Sequence, residues 1–172
     1  VYIGTHAGGL NILHRNNGKM EHFNQENSQL VNENVYAILP DGEGNIWLGT
    51  LNALVRFNPD THSFTTIERE KDGSPFTPKR ITTLFRDSKK RLWIGGEEGI
   101  SVYTQEKEEL LKATPFSDSP ITQTFTNCIY EAANGVFWIG TREGIYCFNE
   151  KKKEIKRYTT ANGLPNNVVY GI

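Results

Sequence analysis

The side chains best suited to chemistry in this chain are His6, Glu97, Glu98, Arg142 and Glu143. Paired acids in "GEEG", and a cation beside an acid in "REGI", are raw material for general acid–base work. That work needs groups that converge within hydrogen-bond reach. Both segments are also short polar runs ending at Gly, which is the composition of a β-turn. We read them as turns, and no nucleophile stands beside a base. His6, His14, His22 and His62 show neither His-x-His nor His-x-x-x-His spacing, so no metal site is expected. His14 and His22 fall near hairpin turns, where an exposed imidazole needs no special purpose. No Gly-rich loop follows a strand and opens a helix, so nothing supports a bound nucleotide. The chain reads as a non-enzyme without cofactor.

The elements that hold these residues repeat. "DGEGNIWLGT" from Asp41, "DSKKRLWIGG" from Asp87 and "AANGVFWIGT" from Ala132 are one phrase, with Trp47, Trp93 and Trp138 spaced by 46 and 45 residues. Stepping back 45 from Trp47 reaches Tyr2 in "VYIGT", a fourth copy. A short apolar run lies 12 residues before each Trp: "VYAIL", "ITTLF" and "TNCIY". After each Trp come a polar loop and a strand ending on Phe57, Tyr103 or Phe148; a last strand follows in the copies of Tyr2, Trp47 and Trp138, as "KMEHF", "SFTTI" and "EIKRY". "LVNENVYAI" from Leu30 matches "LPNNVVYGI" from Leu164, so Asn32 aligns with Asn166. The repeats run approximately over 1–30, 31–77, 78–122 and 123–167, with the first strand of a further blade at 168–172.

Four short strands per unit of 40–45 residues, rich in β-branched and aromatic side chains, are the arithmetic of an all-β propeller blade. About four blades of four-stranded antiparallel sheet are expected, at about 45 residues each. "TQEKEELLKA" from Thr104 falls at a hairpin turn and is read as a loop with one helical turn. Within a blade each residue type has a task. The Trp wedges against the neighbouring blade. Gly49, Gly95 and Gly140 let that blade approach. In Asp-x-x-Gly the carboxylate caps the turn and the Gly takes positive φ. Lys90 stands where the pattern has Gly, Ala132 where it has Asp, and Gly96 where it has Thr.

A net charge of −1 over 172 residues excludes the basic stripe of a nucleic-acid binder. "EKKKEIKR" from Glu150 is a solvated hairpin rather than a phosphate patch. No apolar stretch approaches the roughly 18 residues of a spanning helix. Cys128 and Cys147 lie on the first and third strands, about 9.5 Å apart by strand spacing, too far for a disulfide. Both are read as small buried hydrophobes. A chain that opens on Val1 in mid-blade reads as a piece of a longer protein. An alternative is that residues 168–172 complete the first blade and close a four-bladed ring.

Trp-[Ile/Leu]-Gly-Thr after Asp-x-x-Gly, with "NGLPNNVV" leading into the next first strand, resembles the two-component regulator propeller repeat over essentially the whole chain. That resemblance implies a fragment of a larger seven-bladed propeller. It also implies a place in the periplasmic sensor region of a membrane-anchored hybrid histidine kinase, whose ligand is an oligosaccharide. The membrane then enters only through other parts of the parent chain. A protein–protein scaffold is the second reading and a propeller lyase or glycosidase the third. Neighbouring blades, or a second copy in a homodimer, would cover the faces that an open arc exposes. If a sugar binds, the contacts are expected on the face carrying two loop sets. One set joins blade to blade, with Asn32, Asn34, Arg80, Asn166 and Asn167; the other joins second to third strands, with His6, Asn52, Glu97 and Arg142. Planar amides and guanidinium groups suit hydroxyl pairs. An Asn in a connector is equally a turn residue.

Overall fold

The computed structural model describes residues 1–67, 79–106, 109–112 and 119–172. The expected division between the second and third repeats, at 77/78, lies outside them. Among the described residues the strands form four antiparallel sheets in chain order. Blade one holds β1 (Tyr2–Gly4), β2 (Leu10–Leu13) and β3 (Met20–Phe23). Blade two holds β4 (Val35–Pro40), β5 (Ile46–Thr50), β6 (Leu54–Asn58) and β7 (Ser63–Thr66). Blade three holds β8 (Ile81–Arg86), β9 (Leu92–Gly96), β10 (Gly99–Glu106) and β11 (Glu109–Lys112). Blade four holds β12 (Thr126–Ala132), β13 (Val136–Thr141), β14 (Gly144–Asn149) and β15 (Glu154–Tyr158).

The cores lie between sheets. Phe57 centres the first, with Leu10, Ile12, Tyr2 and Phe23 of blade one packed on blade two. Trp47 packs with Ile81, Ile94 and Tyr103 of blade three. Trp93 packs into blade four and stacks on Phe137 at 4.3 Å between centroids. Trp47 and Trp93 are buried. At roughly 25 cal/mol per Å² over 150–250 Å², each contributes about 4–6 kcal/mol of apolar burial. Trp138 faces away from blade three and is only half-buried, beside the exposed Tyr130 and Tyr158.

The glycine of the repeated phrase sets how closely blades approach. A Cβ on Gly49 would stand 2.5 Å from Ile81 Cγ2, and one on Gly95 would stand 2.7 Å from Thr126 Cγ2. Ile81 and Thr126 each open the first strand of the next blade. Val169 occupies the same place on blade four: its N–H donates to Thr141 O at 2.8 Å, as that of Val35 donates to Thr5 O at 3.1 Å.

Three expectations are corrected. Residues 168–172 do not pair with β1, so the described residues close no four-bladed ring; Val169 instead sits on blade four in the place where first strands begin. The stretch from Thr104 is not a helical turn. β10 continues to Glu106 and β11 pairs back on it, Tyr103 opposite Lys112 and Glu106 opposite Glu109. Its Glu, Leu and Lys favour helix, but completing the sheet overrides that weak local preference. Cys128 and Cys147 are free and half-buried rather than buried, because they flank Trp138 on the uncovered face of blade four.

Candidate ligand-binding face

The antiparallel order puts two kinds of loop at opposite ends of each blade. The Asp turns and the tips of the last hairpins share one end. The β5–β6 type loops and the blade connectors share the other.

At the turn end the local chemistry is as the residue types dictate. Asp41 Oδ1 accepts from Glu43 N at 2.7 Å and Asn45 N at 2.9 Å, and Gly44 takes φ +98°. Asp87 does the same for Lys89 N and Arg91 N, and Lys90 adopts φ +63° in place of Gly. The second carboxylate oxygen has a task that the motif does not reveal. Asp41 Oδ2 accepts both Nε and Nη2 of Arg56, at 2.9 and 2.5 Å, and that guanidinium lies over Trp47. Asp87 Oδ2 accepts from Arg91 Nε at 2.6 Å and Trp93 Nε1 at 2.8 Å. Burial would raise the Asp41 pKa, but the Glu43 N–H, Arg56 and Asn45 outweigh it and hold it at about 2. In blade four Ala132 replaces the Asp, and Cys147 stands opposite Trp138 where Arg56 stands opposite Trp47, so the pair is absent as a unit.

A cavity of about 540 Å³ opens beside Ala132, lined by Ser88, Lys89, Glu131, Glu150 and Lys151 among others. Its polar groups largely satisfy one another. Glu131 accepts from Ser88 N and Oγ, at 2.7 and 2.6 Å. Glu150 accepts from Lys89 at 2.9 Å and Arg91 at 2.5 Å. Burial pushes the Glu150 pKa up, but these two cations overcome it and leave it lowered. At the junction of blades one and two, Glu21 lies 2.9 Å from His14 and 3.6 Å from His62, a grouping that no spacing signals.

At the connector end the predicted residues divide in two. Asn32 Oδ1 accepts from Asn34 N at 2.9 Å, and Asn166 Oδ1 from Val168 N at 2.8 Å. Asn34 Oδ1 accepts from Ala7 N at 3.1 Å, and Asn167 Oδ1 from Thr160 N at 2.8 Å. These four asparagines use their carbonyls to fold the connectors. His6, Asn52, Glu97 and Arg142 are exposed at the loop tips. The Arg142 guanidinium stacks on Phe125 at 3.9 Å, a partner missed from sequence because Phe125 lies in the connector. Arg80 sits between the blade-two and blade-three loops: its N–H donates to Leu51 O, and Glu97 N donates to its carbonyl at 3.3 Å.

The Thr of the repeated phrase closes these loops. Thr50 Oγ1 donates to Ala53 O at 2.9 Å and Thr141 Oγ1 to Gly144 O at 2.8 Å. Of the acids considered for catalysis, Glu98 pairs with Lys79 at 3.0 Å and Glu143 with Arg157 at 3.3 Å. Among the described residues no group of three or more His, Cys, Asp or Glu is placed to hold a metal ion.

Strand order, repeat length and cores between sheets define a β-propeller segment. The sequence profile of the two component regulator propeller matches three times, over residues 29–52, 75–98 and 119–143, each match taking in a first strand and the Trp strand after it. The chain therefore carries three copies of that family's repeat. Histidine kinase P4 of Formosa agariphila is 32% identical over 74 residues, 42% of this chain and 5% of that protein. The extracellular domain of the hybrid two-component system BT4673 from B. thetaiotaomicron superposes with a TM-score of 0.79 at 21% identity, covering 98% of this chain and 22% of that one. That of BT3049 gives 0.77 at 16% identity, over 99% and 22%. An ancestral GH74 enzyme gives 0.65 at 16% identity, over 92% and 22%. At these identities the solved structures establish the fold. The chain spans a small part of each relative.

Proposed function

We propose that this segment is a ligand-sensing module of a hybrid two-component regulator, held outside the cytoplasm in the periplasm, and that its ligand is an oligosaccharide. The observation that carries the reading is the division at the connector end. There the four connector asparagines are consumed by the fold, while Asn52, Arg80 and Arg142 stand on it with hydrogen-bonding capacity left over among the described residues. Planar amide and guanidinium groups on rigid loops suit vicinal hydroxyls. The kinase relative and the extracellular domains with the same fold support the setting.

The segment senses without catalysing. Two of its candidate acids are tied to cations, and the GH74 likeness is one of fold alone. No helix of the described residues is long and apolar enough to cross a membrane, so transmission belongs to other parts of a parent chain. A ligand would bias that machinery only through a difference in affinity between two arrangements.

The test is a thermal melt with and without a panel of oligosaccharides. Ligand at a hundredfold over Kd adds about 2.7 kcal/mol, or about 5–10 °C for a chain of this size. A selective shift supports the reading. A panel that leaves the melting temperature unmoved overturns the placing of a sugar site within these blades.

A further inference from the structure

We propose that the connector face selects acidic oligosaccharides, and that Arg80 is the residue that grips the sugar's anionic group. This rests on the sugar reading and narrows it.

Four equivalent positions precede the first-strand starts Val35, Ile81 and Thr126 and the docked Val169: they are Asn34, Arg80, Phe125 and Val168. Asn34 spends its side chain on Ala7 N, and Phe125 lies under Arg142. Arg80 alone of the four presents a charge, and among the described residues nothing accepts from its guanidinium. Its Nε is buried with no hydrogen-bond partner. Burial of the Nε anchors the base of the guanidinium, and a ligand would meet the part of this half-exposed side chain that reaches solvent.

The backbone holds Arg80 in place from both sides. It adopts φ +40°, a region that non-glycine residues seldom enter. Leu51 O takes its N–H, and its carbonyl receives Glu97 N. Gly96, where the repeat elsewhere has Thr, leaves room for this, since a Cβ there would stand 2.2 Å from Arg80 O. The departure at Gly96 and the conformation of Arg80 are therefore one feature. Strained backbone held from both sides is characteristic of sites that position a ligand group.

One blade further on, stacking on Phe125 occupies the face of the Arg142 guanidinium and leaves its N–H edge free for an acceptor. The neighbouring charges favour an anion. Among the described residues Glu98 is neutralised by Lys79 and Glu143 by Arg157, leaving Glu97 as the exposed loop acid against two guanidinium groups. A guanidinium fork fits a carboxylate or a sulfate with two parallel hydrogen bonds.

The test measures binding of trigalacturonic acid, its neutral methyl ester, a sulfated galactose trisaccharide and a neutral galactose trisaccharide by calorimetry. The variants are Arg80→Gly, Arg80→Lys and Arg142→Gln. Gly accepts the positive φ, so Arg80→Gly removes the guanidinium while keeping the fold, which the melting temperature checks. Expected is binding of an acidic probe over its neutral counterpart, weakened roughly tenfold to a hundredfold in Arg80→Gly and partly restored in Arg80→Lys. Preference between carboxylate and sulfate identifies which anion is read. Equal binding of acidic and neutral probes, or acid binding indifferent to Arg80→Gly, overturns the proposal while leaving the sugar reading intact. Failure of all four probes to bind overturns it together with a sugar site on this face.

Discussion

Replacing Asp41 by Asn separates the charge of the turn aspartate from its shape. Asn keeps an oxygen for the Glu43 and Asn45 N–H groups, so the turn persists, but Arg56, whose side chain is 17% exposed, loses its buried anion and keeps only the exposed Glu43 carboxylate at 3.0 Å. The Asp41 carboxyl is lowered from 3.8 to about 2 on folding. At about 1.36 kcal/mol for each pH unit, that depression stabilises the fold by roughly 2.5 kcal/mol at neutral pH. A depressed carboxyl gives this stability in full above its unfolded value and loses it as pH falls through its folded value. About 1 kcal/mol is therefore gone by pH 3, and most of the rest is lost by about pH 2. Asp41→Asn is expected to cost about 2–3 kcal/mol at pH 7, a cost typical of removing a buried ion pair's partner or a charged hydrogen bond. The gap between parent and variant should narrow by about 1 kcal/mol at pH 3. Urea unfolding of both proteins at pH 7, 5 and 3 reads these differences. Equal stability at pH 7, or a gap that does not narrow in acid, would refute the view that the turn aspartate acts through its charge on Arg56.

Other outcomes follow from the same geometry. Gly96→Thr restores the repeat phrase, yet is expected to destabilise by about 1–3 kcal/mol through overpacking against Arg80 O; urea unfolding that shows no loss would remove the link between Gly96 and Arg80. Ala132→Asp alone places a carboxylate beside Glu131 and Glu150 and is expected to lose about 1 kcal/mol. Combined with Cys147→Arg it should recover, with a favourable coupling of about 0.5–3 kcal/mol in a double-mutant cycle. Burial raises both thiol pKa values, more than Lys156 lowers that of Cys147, so both thiols should alkylate at pH 7 more slowly than a free cysteine peptide. Faster labelling at either position would show that blade four opens.

The repeat, the propeller class and the close approach at Gly49, Gly95 and Gly140 were legible in the linear chain. Each depends on backbone: a turn favours a capping carboxylate and a positive φ, and a close-packed sheet needs a missing Cβ, so the signal returns at a fixed place from copy to copy, Lys90 and Ala132 being the departures. The hairpin from Thr104 was not legible, because its helix-favouring residues are outvoted by a sheet edge that the local sequence does not contain. The candidate site was half legible. Loop position identified the right end of the blades, but not that Asn32, Asn34, Asn166 and Asn167 would be spent on connectors while Arg80 would be left over. What a side chain meets across a blade junction depends on the angle and register of two sheets, which no single repeat encodes. Arg91 reaching Glu150 exists only once blades three and four have packed, while Arg56 reaching Asp41 and Arg142 settling on Phe125 need the strands of their own blade to pair first.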